Sequence, residues 1–255
     1  MKKREVRLAP FYAHRGYHDK PSIPENSMAA FRRAVEHGLH SELDVHLLTD
    51  GSLAVFHDDD LERETGVKGS IEAYDFSNLK KLRLEGTDET IPTLDEVLAL
   101  YEDSGLDLMI ELKTVNGNHK KLVKAVAEKM DGYKGGYAVQ SFDPRAMMEY
   151  RKLRPDTPRG QLSKNFFKAT EGLPYYQVVM LTNMALNVLV KPDFINYKFS
   201  DRDNKVLRRN VKKGMPEVTW TIRKASDYRA AAKAGCVPVF EKIAPDELHE
   251  LLGSR

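Results

Sequence analysis

Two histidines lie close to the start of the chain, each just after a short apolar segment. His14 follows the first segment and His57 follows a later one. Histidine is the side chain whose unperturbed pKa lies near neutrality, so two of them can share deprotonation of a nucleophile and protonation of a leaving alkoxide. We therefore predict that His14 and His57 are an acid–base pair. The sequence does not say which is the acid.

Three carboxylates occur in segments that are otherwise apolar. Glu42 and Asp44 are two residues apart in one predicted strand, and Glu111 lies in a later one. Because side chains alternate across a strand, Glu42 and Asp44 share a face. Buried carboxylates need a partner, and three that converge form an oxygen-rich site of the kind that binds Mg²⁺ or Ca²⁺. The alternative is that Glu42 or Glu111 forms a salt bridge with a nearby lysine or arginine.

Two cations accompany these groups. Arg15 follows His14, and Lys113 shares a strand face with Glu111. The guanidinium fork of arginine matches phosphate oxygens, and lysine supplies a point charge. Both suit a pentacoordinate phosphoryl state. The alternative for Arg15 is a bidentate pair with a structural carboxylate.

These residues are distributed over a regular alternation of short apolar strands and amphipathic helices. About eight strands are predicted, at 11–14, 41–48, 106–113, 137–142, 159–162, 194–199, 218–222 and 237–240. Such alternation indicates parallel strands, and a closed (β/α)8 TIM barrel, an α/β fold, is the most economical arrangement. An open doubly wound sheet would require a glycine-rich phosphate loop after the first strand, and the sequence has none there. Barrel enzymes place their sites at the carboxyl ends of the strands.

The length of 255 residues suits a single barrel domain over 1–255. Residues 58–92 are polar and rich in turns, so we interpret them as a short insertion after strand two, too small to bury a core of its own. The apolar segment 173–189 is predicted to be helical.

Composition excludes several classes of protein. The net charge of +2 produces no overall positive electrostatic field of the kind that attracts nucleic acid. The one cysteine, Cys236, rules out an intrachain disulfide and fits a reducing compartment. The basic N-terminus is followed by no apolar run, so we expect neither a signal peptide nor a membrane span, and a cytoplasmic location. The oligomeric state is not specified by the sequence.

The ordered motifs resemble those of the glycerophosphodiester phosphodiesterases. They are His-Arg-Gly at 14–16, Glu-Asn-Ser at 25–27, Glu-Leu-Asp-Val at 42–45, Asp-Gly at 50–51 and His-Asp at 57–58. Gln140-Ser141-Phe142 and Trp220-Thr221 match later motifs, so the resemblance covers nearly the whole chain.

This resemblance implies a TIM barrel and a metal-dependent hydrolase of lipid and glycerol metabolism. The implied reaction converts a small glycerophosphodiester to sn-glycerol 3-phosphate and an alcohol. The roles implied by the matched positions are catalysis by His14 and His57, substrate binding by Arg15 and Lys113, and metal binding by Glu42, Asp44 and Glu111.

The sequence departs from the family pattern at three sites. Leu48 replaces a threonine, Ile222-Arg223 replaces a Val-Asn pair, and Phe240-Glu241 replaces a Thr-Asp pair. We expect none of these departures to contact the proposed metal or acid–base residues. They cluster on the late strands, where they would affect the choice of substrate.

Two other functions are kept as alternatives. The same site would serve a lysophospholipase D or a phospholipase-type enzyme acting on lipids, with an apolar rim at Tyr175-Tyr176 and 178–181, although core packing explains that segment equally simply. A catalytically inactive barrel that binds a phosphate ligand is the second alternative, and retention of every acid–base and metal position argues against it.

Overall fold

The computed structural model describes residues 6–170 and 172–253. Nine strands form one sheet, eight of them in a parallel ring. The strands are β1 (Tyr12–Ala13), β2 (Ser41–Leu47), β3 (Leu53–Val55), β4 (Leu108–Leu112), β5 (Tyr137–Ser141), β6 (Arg159–Ser163), β7 (Phe194–Lys198), β8 (Glu217–Ile222) and β9 (Val237–Phe240). β1 pairs with both β2 and β9, which closes the ring, and β3 lies antiparallel to β2 outside it. The predicted TIM barrel is confirmed.

Helices connect successive strands of the ring and cover its outside. They are α1 (Met28–Glu36), α2 (Glu62–Thr65), α3 (Phe76–Leu79), α4 (Leu94–Tyr101), α5 (His119–Lys129), α6 (Pro144–Leu153), α7 (Tyr175–Thr182), α8 (Asn187–Val190), α9 (Lys205–Lys212), α10 (Ala225–Lys233) and α11 (Pro245–Gly253). The N-terminal caps are encoded locally. Ser27 accepts a hydrogen bond from the Ala30 amide, and Thr93 forms a capping box with Glu96.

The apolar layer between the strands and the helices orients the polar residues of the strands. Leu43 and Leu112, which flank the site carboxylates in sequence, are fully buried against the helix layer together with Val126 of α5. Burial of each such side chain contributes about 1.5 to 3 kcal/mol. Because side chains alternate along a strand, Glu42, Asp44 and Glu111 must then face the barrel interior.

The insertion after β2 and β3 packs directly on the barrel. Its buried residues Leu61, Ile71 and Leu79 belong to one cluster with Leu48 and Phe56 from the β2–β3 region. The insertion therefore buries its apolar side chains against the barrel, as its small size requires.

The segment between β6 and β7 differs from the single helix that was predicted for it. It forms two short helices, α7 and α8, separated by Met184 in the left-handed region at a φ of 51°. That conformation interrupts a right-handed helix because of the contact between Cβ and the carbonyl.

Within the described residues, no helix is both long and apolar enough to cross a membrane. Residues 1–5 of the basic N-terminal stretch, on which the expectation of no signal peptide was based, lie outside the described residues.

Candidate active site

The three predicted metal ligands meet on the neighbouring strands β2 and β4. Asp44 and Glu111 are register partners on these neighbouring strands. One carboxylate oxygen from each of Glu42, Asp44 and Glu111 lies within 4.8 Å of the others, and all three residues are buried. The fold therefore gathers into one cluster acids that are separated by up to 69 positions in the chain.

The charges of these acids are strongly coupled. Burial, followed by the negative charges of Asp44 and Glu111, raises the pKa of Glu42 well above its usual range. For Asp44 burial also acts to raise the pKa, but His57, Lys113 and other nearby positive groups outweigh it and the pKa is lowered. Asp44 Oδ1 is buried and, among the described residues, accepts no hydrogen bond.

This cluster fits a hard divalent cation. Its donors are carboxylate oxygens only, one of them buried without a hydrogen bond, and Mg²⁺ and Ca²⁺ prefer oxygen ligands. A bound cation would relieve the repulsion that raises the pKa of Glu42.

The predicted cations contact the same acids. Lys113 Nζ lies 3.1 Å from Glu111 Oε1 and 3.6 Å from Asp44 Oδ1. Arg15 Nη1 donates to Glu25 Oε1 at 2.5 Å, and its Nε lies 3.5 Å from Asp44 Oδ2. The salt bridge considered as the alternative for Glu111 is thus present. Arg15 contacts two different carboxylates through different nitrogens, which is not the bidentate pair with one carboxylate that was considered for it. Glu42 takes part in none of the ion pairs found within residues 6–170 and 172–253.

The His-Arg-Gly segment depends on unusual backbone geometry. Arg15 has a φ of 58°, and its backbone amide donates to Glu42 Oε2 at 3.1 Å. Gly16 has a φ of 79°, and a Cβ there would lie 2.9 Å from the Cβ of Ala30 in α1. The glycine is therefore required both by its conformation and by the close approach of the helix.

His14 is held by a residue at the far end of the chain. Its Nδ1 lies 2.5 Å from Glu241 Oε2, just after β9. Burial and the charge of Arg15 lower the pKa of His14 to about 4, although Glu241 acts in the opposite direction. A neutral imidazole that donates from Nδ1 to a carboxylate keeps Nε2 as a proton acceptor.

Glu241 also contacts two further groups. It lies 3.6 Å from His18 Nε2, and Arg223 Nε donates to its other oxygen at 2.6 Å. The expectation that the departures from the family pattern avoid the acid–base residues is therefore wrong. Closure of the barrel places the end of β9 beside the end of β1, so Glu241 lies next to His14. Arg223 in turn forms an ion pair with Glu241.

His57 has a different support. Its Nδ1 lies 2.5 Å from Oδ1 of the next residue, Asp58, and Arg63 contacts the other oxygen of Asp58. Arg63 also donates to Glu25 Oε1 at 2.8 Å. Burial alone would raise the pKa of Asp58, but the hydrogen bonds from His57 and Arg63 lower it.

Most of the predicted residues open onto one cavity of about 180 Å³. Its walls include five of the seven predicted site residues, which are His14, Arg15, Glu42, His57 and Glu111. Lys113 lines a larger neighbouring cavity. Asp44 lines neither of these two cavities, but it contacts both Arg15 and Lys113.

Sequence reasoning did not assign several residues that the structure places here. Glu241 and His18 were not linked to His14, and no role at the site was assigned to Asn26, which donates to Asp44 Oδ2 at 2.9 Å. A signal for Glu241 was available, because a closed barrel puts the residue after the last strand next to the residue after the first. His18 lies in a loop, so no strand periodicity pointed to it.

Comparison with known proteins identifies the family. The chain is 29% identical over 234 residues to a glycerophosphodiester phosphodiesterase of Caldanaerobacter subterraneus subsp. tengcongensis, covering 88% of this chain and 89% of that protein. It is 30% identical over 147 residues to a lysophospholipase D of Rattus norvegicus, covering 52% of this chain and 45% of that protein.

Structural comparison agrees. The structure of an Oleispira antarctica phosphodiesterase in complex with the product sn-glycerol-3-phosphate superposes with a TM-score of 0.80 at 25% sequence identity, covering 96% of this chain and 97% of that one. The sequence profile of the Glycerophosphoryl diester phosphodiesterase family matches residues 14–241. These matches span the barrel from its first site histidine to the glutamate that contacts it, and the chain therefore belongs to the glycerophosphoryl diester phosphodiesterase family.

Proposed function

We propose that this phosphodiesterase hydrolyses glycerophosphodiesters to sn-glycerol 3-phosphate and an alcohol, with a divalent cation and two histidines. The observation that carries the proposal is the shared cavity onto which both imidazoles, Arg15 and two of the clustered acids open. The product named in the Oleispira antarctica complex supports the same choice.

Glu42, Asp44 and Glu111 would hold the cation, which we take to be Mg²⁺ or Ca²⁺. When bound, it would polarise the phosphate and offset negative charge that develops during the reaction.

The two imidazoles divide the proton transfers. One takes the proton of the attacking hydroxyl, which belongs to water or to the 2-hydroxyl of the substrate's glycerol, while a new P–O bond forms. The other gives a proton to the departing alkoxide as the old P–O bond breaks. Attack by the 2-hydroxyl produces a cyclic phosphate, which water opens in a second step.

Glu241 orients His14 and is a positioning residue. Its contact with Nδ1 leaves Nε2 of the same ring for proton exchange with substrate. Arg15 and Lys113 stabilise the equatorial phosphoryl charge, and their contacts with Glu25 and Glu111 hold them in place before substrate binds.

The proposal is tested by release of glycerol 3-phosphate from glycerophosphocholine. We expect turnover by the wild type, loss in excess EDTA, and recovery on addition of Mg²⁺ or Ca²⁺. The His14→Ala variant should lose activity, whereas His37→Ala, at an exposed position after α1, should keep it. Activity that survives both EDTA and His14→Ala would overturn the proposal.

Metal binding is measured separately by calorimetric titration of the protein with each cation. We expect the double variant Glu42→Gln/Asp44→Asn to lose the binding isotherm of the wild type. Unchanged binding would remove these acids as ligands whatever the activity shows.

Both remaining alternatives have clear outcomes. Turnover of any glycerophosphodiester excludes the inactive barrel. A lipid-only enzyme would leave glycerophosphocholine intact and hydrolyse lysophospholipids. Two expectations stay predictions. One is that residues 1–255 form a single barrel domain, and the other is that the protein is located in the cytoplasm.

A further inference from the structure

We propose that His14, His18 and Glu241 form a second metal site, which takes a divalent transition metal such as Zn²⁺ rather than Mg²⁺ or Ca²⁺, and that zinc bound there inhibits the enzyme. The inhibitory effect rests on the proposed role of His14 in acid–base catalysis. The binding of zinc itself does not depend on the proposed function.

The three residues come from two segments that closure of the barrel brings together. His14 and His18 follow β1, and Glu241 follows β9, which pairs with β1. One ligand atom from each residue lies within 4.8 Å of the other two, and all three residues are buried. This cluster has no residue in common with the acids at 42, 44 and 111.

The distances suit a small metal ion. Glu241 Oε2 lies 2.5 Å from His14 Nδ1 and 3.6 Å from His18 Nε2. Zinc binds carboxylate oxygen and imidazole nitrogen at about 2.0 to 2.2 Å in a tetrahedral arrangement, which places neighbouring ligand atoms about 3.4 Å apart. The contact with His18 already has that spacing, and the contact with His14 would have to lengthen by about 1 Å.

His18 is the residue that points most directly to a ligand. It is only 5% exposed, and neither of its ring nitrogens has a hydrogen-bond partner within residues 6–170 and 172–253. An imidazole buried in this way gives up its hydrogen bonds to water and gains none in return, which costs free energy. A metal ion held by the nearby carboxylate of Glu241 would supply the missing partner.

The donor atoms determine which metal fits. Two imidazole nitrogens and one carboxylate suit Zn²⁺ and its neighbours among the transition metals, whereas Mg²⁺ and Ca²⁺ select oxygen atoms. The cluster at 42, 44 and 111 offers carboxylates only. We therefore expect the two clusters to bind metals of different classes in the same molecule.

The surrounding positive charges leave one carboxylate oxygen available to a cation. Arg223 Nε donates to Oε1 of Glu241, so Oε2 remains on the side of the two histidines. Arg15, the other cation close to His14, is paired with Glu25 and Asp44.

Zinc at this site would remove His14 from catalysis. It would take the place of the proton on Nδ1, which leaves to solvent, and would withdraw electron density from the ring. Nε2 of the same ring would then be a poorer proton acceptor. Because the loss concerns proton transfer, it should lower kcat more than it raises KM.

The first test uses Co²⁺ as a coloured substitute for Zn²⁺. Co²⁺ in a tetrahedral site with nitrogen ligands absorbs visible light strongly, whereas octahedral Co²⁺ bound by oxygen atoms absorbs weakly. We expect strong absorption, abolished by added Zn²⁺, from the wild type and from Glu42→Gln/Asp44→Asn, and none from His18→Gln. Absence of the strong absorption from the wild type or the double variant, or its persistence in His18→Gln, would overturn the inference.

The second test measures inhibition of glycerophosphocholine hydrolysis by buffered Zn²⁺ at saturating Mg²⁺, relative to the zinc-free rate of each variant. We expect zinc to lower kcat of the wild type. His18→Gln should require at least about tenfold more zinc, because even an outer partner of a metal ligand contributes about 10- to 100-fold to metal affinity. The matched control is His37→Gln, which removes an exposed histidine and should be inhibited like the wild type.

The outcomes of the second test separate the two proposals. Equal inhibition of His18→Gln and the wild type would place the action of zinc elsewhere and contradict the inference. A wild type that hydrolyses no glycerophosphodiester without zinc would remove the proposed function, whereas the absorption of Co²⁺ would still decide whether the second metal site exists.

The third test separates loss of the ligand from damage to the fold. Thiolate is a zinc ligand, so His18→Cys keeps a donor at this position. We expect it to bind Co²⁺ with an additional thiolate-to-cobalt absorption in the near ultraviolet, which the wild type lacks, and to stay sensitive to zinc. A His18→Cys variant that has the circular dichroism spectrum of the wild type but binds no Co²⁺ with this absorption would refute the site.

Discussion

The two histidines of the site have supports of opposite kinds. His14 is buried, and the carboxylate that contacts it comes from residue 241, across the closure of the barrel. The side chain of His57 is 31% exposed, and its carboxylate partner is the next residue in the chain. One imidazole is thus positioned by the whole fold and the other by its own loop.

Equal contact distances do not imply that the two imidazoles are held with equal rigidity. Both imidazoles lie 2.5 Å from a carboxylate oxygen. Water can replace the lost contact at the exposed ring, whereas no such replacement is available at a buried ring without rearrangement of its surroundings. We therefore expect changes around His14 to cost more than equivalent changes around His57.

The largest expected effect is the loss of either imidazole. His14→Ala and His57→Ala should each lower kcat for glycerophosphocholine by about 10²- to 10⁴-fold, the usual contribution of general acid–base catalysis. A glycerophosphate ester of p-nitrophenol needs no protonation of its leaving group. Activity on that ester should therefore recover in the variant that lacks the acid and stay low in the variant that lacks the base. Recovery in both variants, or in neither, would contradict the division of roles.

The next largest effect is expected from removing the carboxylates that contact the two histidines, and it should differ between them. Glu241→Ala should lower kcat by roughly 10²-fold, since orienting carboxylates are worth about 10- to 100-fold at metal-bound histidines and about 10⁴-fold in the serine protease triad. Asp58→Ala should lower it by less than about tenfold. Glu241→Asp, which keeps the charge, should restore most of the activity and so separate orientation from misfolding. An Asp58→Ala variant that loses more than Glu241→Ala would reverse the comparison.

A third prediction concerns the pH dependence of stability. The pKa of His14 is about 4 in the folded protein and about 6.5 when unfolded. Its folded-state pKa is the lower one, so its contribution is fully present above pH 6.5 and is lost as the pH falls towards 4. Between these limits the wild type should lose up to about 3 kcal/mol of unfolding free energy that His14→Gln does not lose. Denaturant unfolding of the wild type and of His14→Gln at pH 7.5 and pH 4.5 measures the difference. A wild-type profile in His14→Gln would show that His14 is not held neutral by burial.

The smallest effect is expected at Arg223. This side chain is 58% exposed, although it donates to Glu241. Exposed ion pairs contribute only about 0.2 to 1 kcal/mol. Arg223→Gln should therefore change kcat by no more than about twofold, as judged by the same assay. A loss approaching that of Glu241→Ala would mean that the charge of Glu241 depends on its outer partner.

Much of the fold and of the site could be predicted because it depends on the periodicity of short sequence segments. Alternation along β2 placed Glu42 and Asp44 on one face, and the neighbouring β4 brought Glu111 to the same level. The order of strands and helices followed from the same periodicity. In each case the information lies within a few residues or in the repeat of the barrel.

The parts that were missed depend on contacts between distant segments. The role of Glu241 needs the register between the first and last strands, and a single sequence specifies that register only after closure is assumed. The break at Met184 arises from one residue in a left-handed conformation, inside a segment whose composition suits a helix. The larger cavity is lined by residues on both sides of that break, including Leu181 and Leu186, and no sequence motif indicates how they pack.

Closure of the barrel between β1 and β9 also has a consequence for synthesis on the ribosome. The acids at 42, 44 and 111 have all been synthesised once translation has passed residue 111. The carboxylate that holds the histidine at position 14 follows only at position 241. A nascent chain between these two points thus carries the proposed cation ligands but has no support for one of its two imidazoles, so catalytic competence requires translation to residue 241.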